Sequence, residues 1–421
     1  MIWPFGRFLG LSNWTTLGFV RVCIVRQRDV YEPQIQRVAE ALTRAGYEVE
    51  VLCMRGKGQP RTTEVNGVRI TGLRASLARG NKLRYVFDYG WFFTLAAATL
   101  TGRHLRRRYA AIQVYTMPDF LVFAGALPKL FGARVVAYMN EPTPELFETL
   151  YETKRFERAL QRIEQAALRF ADHAITVTEQ LKARYVERGA DPERITVVLN
   201  AADSASDTAG WTPPPEQPKD EFVVMAHGAI EDRYGHDTIV EAARLLRDEM
   251  PDLRVVFTGR GSNEDELRRL IESSGMGDIV RFEGFVSRER LNDLLHTADV
   301  GIVAQKASPY SHLVHTYKMV DYWIFGLPAI ASRLHATADV YDDGVIEYYE
   351  PGDPADLARA IKRLHGDPAR RAELAANGKR AEERSGWAVQ QERFLGVYRK
   401  LVGGPEPGAA LGATSSPGSS P

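Results

Sequence analysis

Lys318 and Asp321 stand three residues apart in the stretch YKMVDYWIFGLPAIAS, so on a helix a cation and a carboxylate would share one face. The Gly-Leu-Pro that follows ends such a helix and leads into the apolar run Ala329 to Ala331. On an open surface the pair would be worth roughly 0.2–0.5 kcal/mol. In a ligand site it offers a compact positive charge for phosphate and a carboxylate that accepts hydroxyl hydrogen bonds.

A second group of residues suits phosphate as well. Gly228, the TGRG run Thr258 to Gly261, the GFVS run Gly284 to Ser287, Gln305, Ser332 and the EPGD run Glu350 to Asp353 fall at the carboxyl ends of strand-like segments. Glycine there lets backbone approach a ligand closely, and the helix N-termini beyond offer free N–H groups and positive dipole ends. The ligand indicated is a nucleoside diphosphate. GRGSNE lacks the third glycine of a dinucleotide fingerprint, and no G-x-x-x-x-G-K-[ST] occurs, so NAD chemistry and a P-loop gain no support. The chain also has no D-x-D, and its His and Cys residues show no zinc spacing. A bound diphosphate must then be neutralised by side-chain cations, with no metal and no other cofactor expected.

These residues need a frame to hold them. Two blocks alternate strand and helix as parallel sheets do. The first has strands at VRVCIVR, EVEVLCM, AIQVYTM, RVVAYMN, HAITVTE and ITVVLN; the second has them at FVVMAHG, LRVVFTG, IVRFEGF, VGIVAQ, PAIAS and IEYYEPG. The expected organisation is an extension at 1–18, a first domain at 19–203, a Pro-rich linker at 204–220, a second domain at 221–380, a crossover helix at 381–402 and a low-complexity, disordered tail at 403–421. Two doubly wound sheets make a cleft, and ligands sit at the carboxyl ends of their strands.

With 421 residues, 44% of them hydrophobic, the chain can bury two large cores. Its 54 Lys and Arg balance 54 Asp and Glu, so no overall charge points to nucleic acid. Cys23 and Cys53 lie in apolar runs and read as buried thiols of a reducing compartment. The start lacks the apolar core of a signal peptide, and no stretch reaches the roughly 20 apolar residues of a membrane span. A soluble, cytoplasmic protein is expected.

In order and spacing, AHGAIEDRYGHDTIVEAARLL, PDLRVVFTGRGSNEDELRRLIESSGMGDIVRFEGFVSRERLNDLLHTADVGIV, YKMVDYWIFGLPAIAS and YYEPGDPADLARAIKRLHGDP resemble the donor domain of the retaining GT-B glycosyltransferases of family four. NEPTPELF resembles that family's His-Asp-x-x-Pro-Glu segment, VVLNAAD its strand before the linker, and RSGWAVQQERFLGVYRKL the terminal helix that crosses back to the first domain. The similarity spans about residues 19 to 401. It implies an α/β GT-B fold, two Rossmann-like doubly wound domains facing across a cleft, and transfer of a sugar from a nucleoside diphosphate to an acceptor with retention of configuration.

The resemblance also implies roles. Lys318 falls where the family keeps a basic residue near the diphosphate, and Asp321 where the second Glu of its Glu-x7-Glu motif holds the ribose. Arg233 stands next to the usual place of another cation, which is Tyr234 here. Val286 matches the place where backbone meets the nucleobase, and the strand-end glycines Gly228 and Gly259, read from their position alone, would let such a donor approach. The expected partners are a nucleotide sugar and a glycan or lipid-linked acceptor.

Departures from the pattern qualify these roles. The first Glu of the motif falls at Leu313, with His312 and His315 as the nearest substitutes, and the His-Asp pair is Asn140-Glu141, which leaves Glu141 as a carboxylate in the cleft. The losses admit a catalytically silent relative that acts as a binding or stabilising subunit, and the fold admits a sugar-nucleotide epimerase. A last feature is LRYVFDYGWFFTLAAATLTGRHLRRRY, apolar through Leu100 and then basic at Arg103, His104, Arg106, Arg107 and Arg108. It reads two ways: as a helix in peripheral contact with an anionic membrane, or as a buried helix ending in dipole-favourable arginines.

Overall fold

The computed structural model describes residues 20–27, 33–55, 58–75, 82–203, 207–215, 219–316 and 318–404. The 1–18 extension, the ends of the linker at 204–206 and 216–218, and the tail from 405 lie outside the described residues.

The first sheet consists of β1 (Arg21–Arg26), β2 (Glu48–Met54), β3 (Thr62–Val65), β4 (Val68–Leu73), β5 (Ala111–Tyr115), β6 (Arg134–Met139), β7 (His173–Thr176) and β8 (Ile195–Val197). Their spatial order is β3-β4-β2-β1-β5-β6-β7-β8. The second sheet holds β9 (Phe222–Ala229), β10 (Leu253–Arg260), β11 (Val280–Phe282), β12 (Val300–Val303), β13 (Ala329–Ser332) and β14 (Ile346–Tyr349), in the order β11-β10-β9-β12-β13-β14. That is the doubly wound 3-2-1-4-5-6 order, with its switch point between β9 and β12; the first sheet repeats it at β1 and β5. Central strands such as β5 and β13 are buried along their whole length because helices cover both faces, which is why they read as unbroken apolar runs.

One strand pair was missing from the sequence reading. β3 and β4 form an antiparallel hairpin whose two loop residues, Asn66 and Gly67, both have positive φ. Asn-Gly between short alternating runs is the signal of this turn, and TTEVNGVRI carries it.

The terminal segment divides at Gly386. The helix Pro368–Ser385 stays with the second domain, and the helix Trp387–Val402 returns to the first. There Phe394 and Tyr398 join the first core, and the Tyr398 hydroxyl donates to Gln113 Oε1 at 2.6 Å. The helix Lys82–Arg107 lies half in and half out: Phe92, Ala96 and Leu100 are fully buried, whereas Phe87 and Trp91 are exposed. The buried reading of this segment holds for its inner face. Cys23 and Cys53 are buried thiols and form no disulfide.

Candidate functional site

The switch point of the second sheet is built on glycine. Gly228, at the end of β9, has φ +111°, and a Cβ there would stand 2.6 Å from Cε of Lys318. The lysine chain passes over the strand end because no side chain blocks it. Gly259 pairs with Gly228 from β10, and its own Cβ would fall 1.7 Å from the Gly228 carbonyl oxygen. Two adjacent strand ends are thus stripped to backbone.

Past Gly228 the chain makes the turn Asp232–Tyr234 and enters the helix His236–Leu246. Gly235 is left-handed and packed so closely that a Cβ would meet the Ala304 carbonyl oxygen, which pins the helix start beside the end of β12. Lys318 Nζ lies 3.9 Å from the Tyr234 ring centroid, and the Arg233 guanidinium carbon 4.9 Å from it. Two cations and a helix N-terminus converge on one tyrosine. Burial, with Arg233 second, pushes the Lys318 ammonium down to about 7. The arrangement stores positive charge that an anion would relieve.

Asp321 behaves differently from its neighbour. The helix Lys318–Ile324 turns both residues inward, but Asp321 is only 2% exposed and lies beneath the crevice. Its carboxylate meets Arg288 Nη2 at 3.4 Å and His227 Nε2 at 3.6 Å. Burial, followed by Lys318 and Arg288, holds the His227 imidazole down at about 3, so it is neutral, and burial raises Asp321 against the pull of Arg288. Arg288 opens the helix Arg288–Thr297, capped by Ser287, whose hydroxyl accepts from the Arg290 N–H. Val286, half-buried, stands just before this cap. The Gly284 carbonyl near it is held by Thr258 Oγ1 and by the Gly259 N–H.

Across the cleft, Asn140 and Glu141 follow β6. Asn140 is buried with its Oδ1 unpartnered, and Glu141 Oε2 accepts from the Tyr310 hydroxyl at 2.7 Å. Both line a cavity of about 350 Å³, with Arg26 and Arg37 on the first domain's side and Tyr310 and His315 on the other. Leu313 is a buried member of the first domain's core, and its carbonyl accepts from Thr178 Oγ1 at 2.6 Å. An apolar bridge between domains occupies that position. His312 meets the His335 ring edge-to-face and is part exposed; His315 is buried with both ring nitrogens unpartnered and is neutral, held down to about 4 by burial.

The structure thus brings Gly228, Gly259, Arg233 and Lys318 together, sets Asp321 and Val286 along one side, and places Asn140 and Glu141 opposite. Sequence reasoning missed Arg288, Tyr310, Arg26 and Arg37. Arg288 follows directly on GFVS and was within reach; the others meet the cleft only through tertiary packing.

Residues 31–201 match the family described as "Glycosyl transferase 4-like domain", and residues 211–381 the one described as "Glycosyl transferases group 1". The D-inositol 3-phosphate glycosyltransferase of Kineococcus radiotolerans is 26% identical over 403 residues, 87% of this chain and 89% of that protein. A protein of the same name from Acidothermus cellulolyticus is 31% identical over 251 residues, 56% of this chain and 54% of that protein. Among solved structures, the sucrose-phosphate synthase of Thermosynechococcus elongatus superposes with a TM-score of 0.75 at 20% identity, over 91% of this chain and 99% of that one. HepE of Anabaena, in complex with UDP and glucose, gives 0.69 at 16% identity, over 91% and 100%.

Proposed function

Because this chain belongs to the GT-B glycosyltransferases of family four, we propose that it transfers a sugar from a nucleoside diphosphate to an acceptor hydroxyl held across the cleft, with retention of configuration. The observation that carries the reading is the convergence of Lys318, Arg233 and the N-terminus of His236–Leu246 on glycine-stripped strand ends. Such a cradle matches the charge that grows on a departing diphosphate.

In this reading Gly228 and Gly259 admit the donor, and Lys318 and Arg233 neutralise its phosphates. Backbone at Val286 meets the nucleobase. Asp321 takes the ribose hydroxyls once Arg288, itself 39% exposed at its side chain, swings aside. The bond from the sugar's anomeric carbon to the phosphate oxygen breaks as the acceptor oxygen bonds on the same face, and the hydroxyl proton passes to the leaving diphosphate. Asn140 and Glu141 orient the acceptor, and closure of the cleft supplies alignment. Arg26 and Arg37 favour an acceptor that bears phosphate, such as a lipid-linked glycan in polysaccharide or glycolipid synthesis or the inositol phosphate in the Kineococcus relative's name. This reading sets the reaction in the cytoplasm and gives the neutralising role to Lys318 and Arg233 rather than to a metal.

Calorimetry with nucleoside diphosphates tests the site. Asp321→Ala should weaken binding by about 2–4 kcal/mol while the fold survives, through the loss of charge-assisted hydrogen bonds. Unchanged affinity in a well-folded variant would overturn the assignment. Sugar-nucleotide turnover should persist in EDTA; activity lost to the chelator and restored by a divalent ion would overturn the metal-free mechanism.

A further inference from the structure

Exposed apolar side chains are concentrated on one side of the first domain. Of the thirteen large hydrophobic residues exposed among those described, ten lie between Phe87 and Ile163, and soluble surfaces scatter such residues rather than gather them. They sit on neighbouring helices: Phe87 at 69% and Leu105 at 62% on Lys82–Arg107, Leu130 at 77% on Ala126–Leu130 with Phe131 just after it, and Phe156 next to Glu157–Phe170. The pieces are joined. His104 Nε2 lies 3.4 Å from the Phe131 carbonyl, and the Phe123 ring packs at a tilt against Phe170 with centroids 5.0 Å apart.

Charge on this side is equally uneven. Residues 82–134 hold eight Lys and Arg against two Asp, in a chain whose charges cancel as a whole, and Asp119 is buried. Arg106, Arg107, Arg108 and Arg134 are all exposed, whereas no charged residue occurs between Asp88 and Arg103. Among the described residues no helix is long and apolar enough to cross a membrane, so any lipid contact is made from the surface. At its far end the face reaches the opening where Glu152, Thr153 and Lys154 stand opposite Arg233 and Lys306.

We propose that this face of the first domain docks on an anionic lipid bilayer, with its aromatic and leucine side chains at the headgroup boundary and its arginines on lipid phosphates. A second copy of the chain fits poorly, because a two-fold pairing would bring the arginines of both copies together. Docked in this way, the protein opens its cleft beside Arg233 toward the leaflet; this last step rests on the lipid-linked acceptor reading, and the docking itself does not.

Sedimentation with vesicles tests the proposal, without any sugar nucleotide present. The protein should pellet with vesicles of phosphatidylcholine and phosphatidylglycerol, far less with phosphatidylcholine alone, and less in either case as salt rises. R106Q/R107Q should cut the bound fraction at least about tenfold, and L130S/F131S should cut it while circular dichroism stays that of the parent. No pelleting by the parent, or parent-like pelleting by both variants, overturns the proposal. So does a concentration-dependent dimer in light scattering that L130S/F131S dissolves, which would give the face to a second copy. Failure of docking with intact diphosphate binding counts against the surface alone, and the reverse result against the transferase site alone.

Discussion

Lys318 ties the site's electrostatics to pH. Its ammonium is held at about 7 by burial and by Arg233, so the empty site is mostly charged below pH 7 and mostly neutral at pH 8. A bound diphosphate favours the charged form. At pH 8, binding should therefore take up nearly one proton, and at pH 6 almost none from this group; affinity should be flat below about pH 7 and fall by up to about tenfold per unit above it. Calorimetry in buffers of different ionisation enthalpy reads the uptake directly. Lys318→Met should abolish it, and Arg233→Gln should move its midpoint upward; uptake that ignores Lys318 would refute the coupling. The unfolded lysine titrates near 10.4, so between pH 7 and there the unfolded chain holds more protons and this residue makes stability rise with pH. At this scale the sequence was a partial guide. Lys318 and Gly228 stood out by type and spacing, yet that the lysine needs the glycine's missing side chain, and that Asp321 faces Arg288 and His227, depends on contacts between segments distant in the chain.

The strand ends set how closely a ligand can come. Gly259 has φ +143°, a region that only glycine occupies freely, and a Cβ there would overlap the Gly228 carbonyl. Gly259→Ala should cost about 3 kcal/mol through strain and overpacking. Gly277→Ala, with nothing within 4 Å of the new methyl, should change stability by less than about 0.5 kcal/mol. Urea unfolding of the two variants makes the comparison, and equal midpoints would show that the strand ends relax more easily than their packing implies. The elements themselves were largely legible, because strands buried on both faces leave unbroken apolar runs between amphipathic helices. The hairpin β3–β4 escaped notice since its strands are short and β3 is mostly exposed, so only its Asn-Gly turn marks it.

Between the domains, one loop does much of the holding. Tyr310 donates to Glu141, while Leu313 enters the first domain's core and its carbonyl accepts from Thr178. Tyr310→Phe should loosen closure by about 1 kcal/mol, a roughly fivefold gain in open molecules, and Leu313→Ala should cost about 2–4 kcal/mol. Small-angle scattering should show a larger radius of gyration for both variants, reversed by nucleoside diphosphate; unchanged curves would mean that the loop does not latch the cleft. The second tie is the helix Trp387–Val402, whose residues Phe394 and Tyr398 complete a core begun at β1. During translation the first sheet leaves the ribosome with β8, but its closing helix follows only after the entire second domain. At roughly 5–20 residues per second that interval is about ten to forty seconds. Throughout it the groove awaiting Phe394 and Tyr398 is open apolar surface, so the amino-terminal half of the protein is the part for which a nascent-chain chaperone has the longest use.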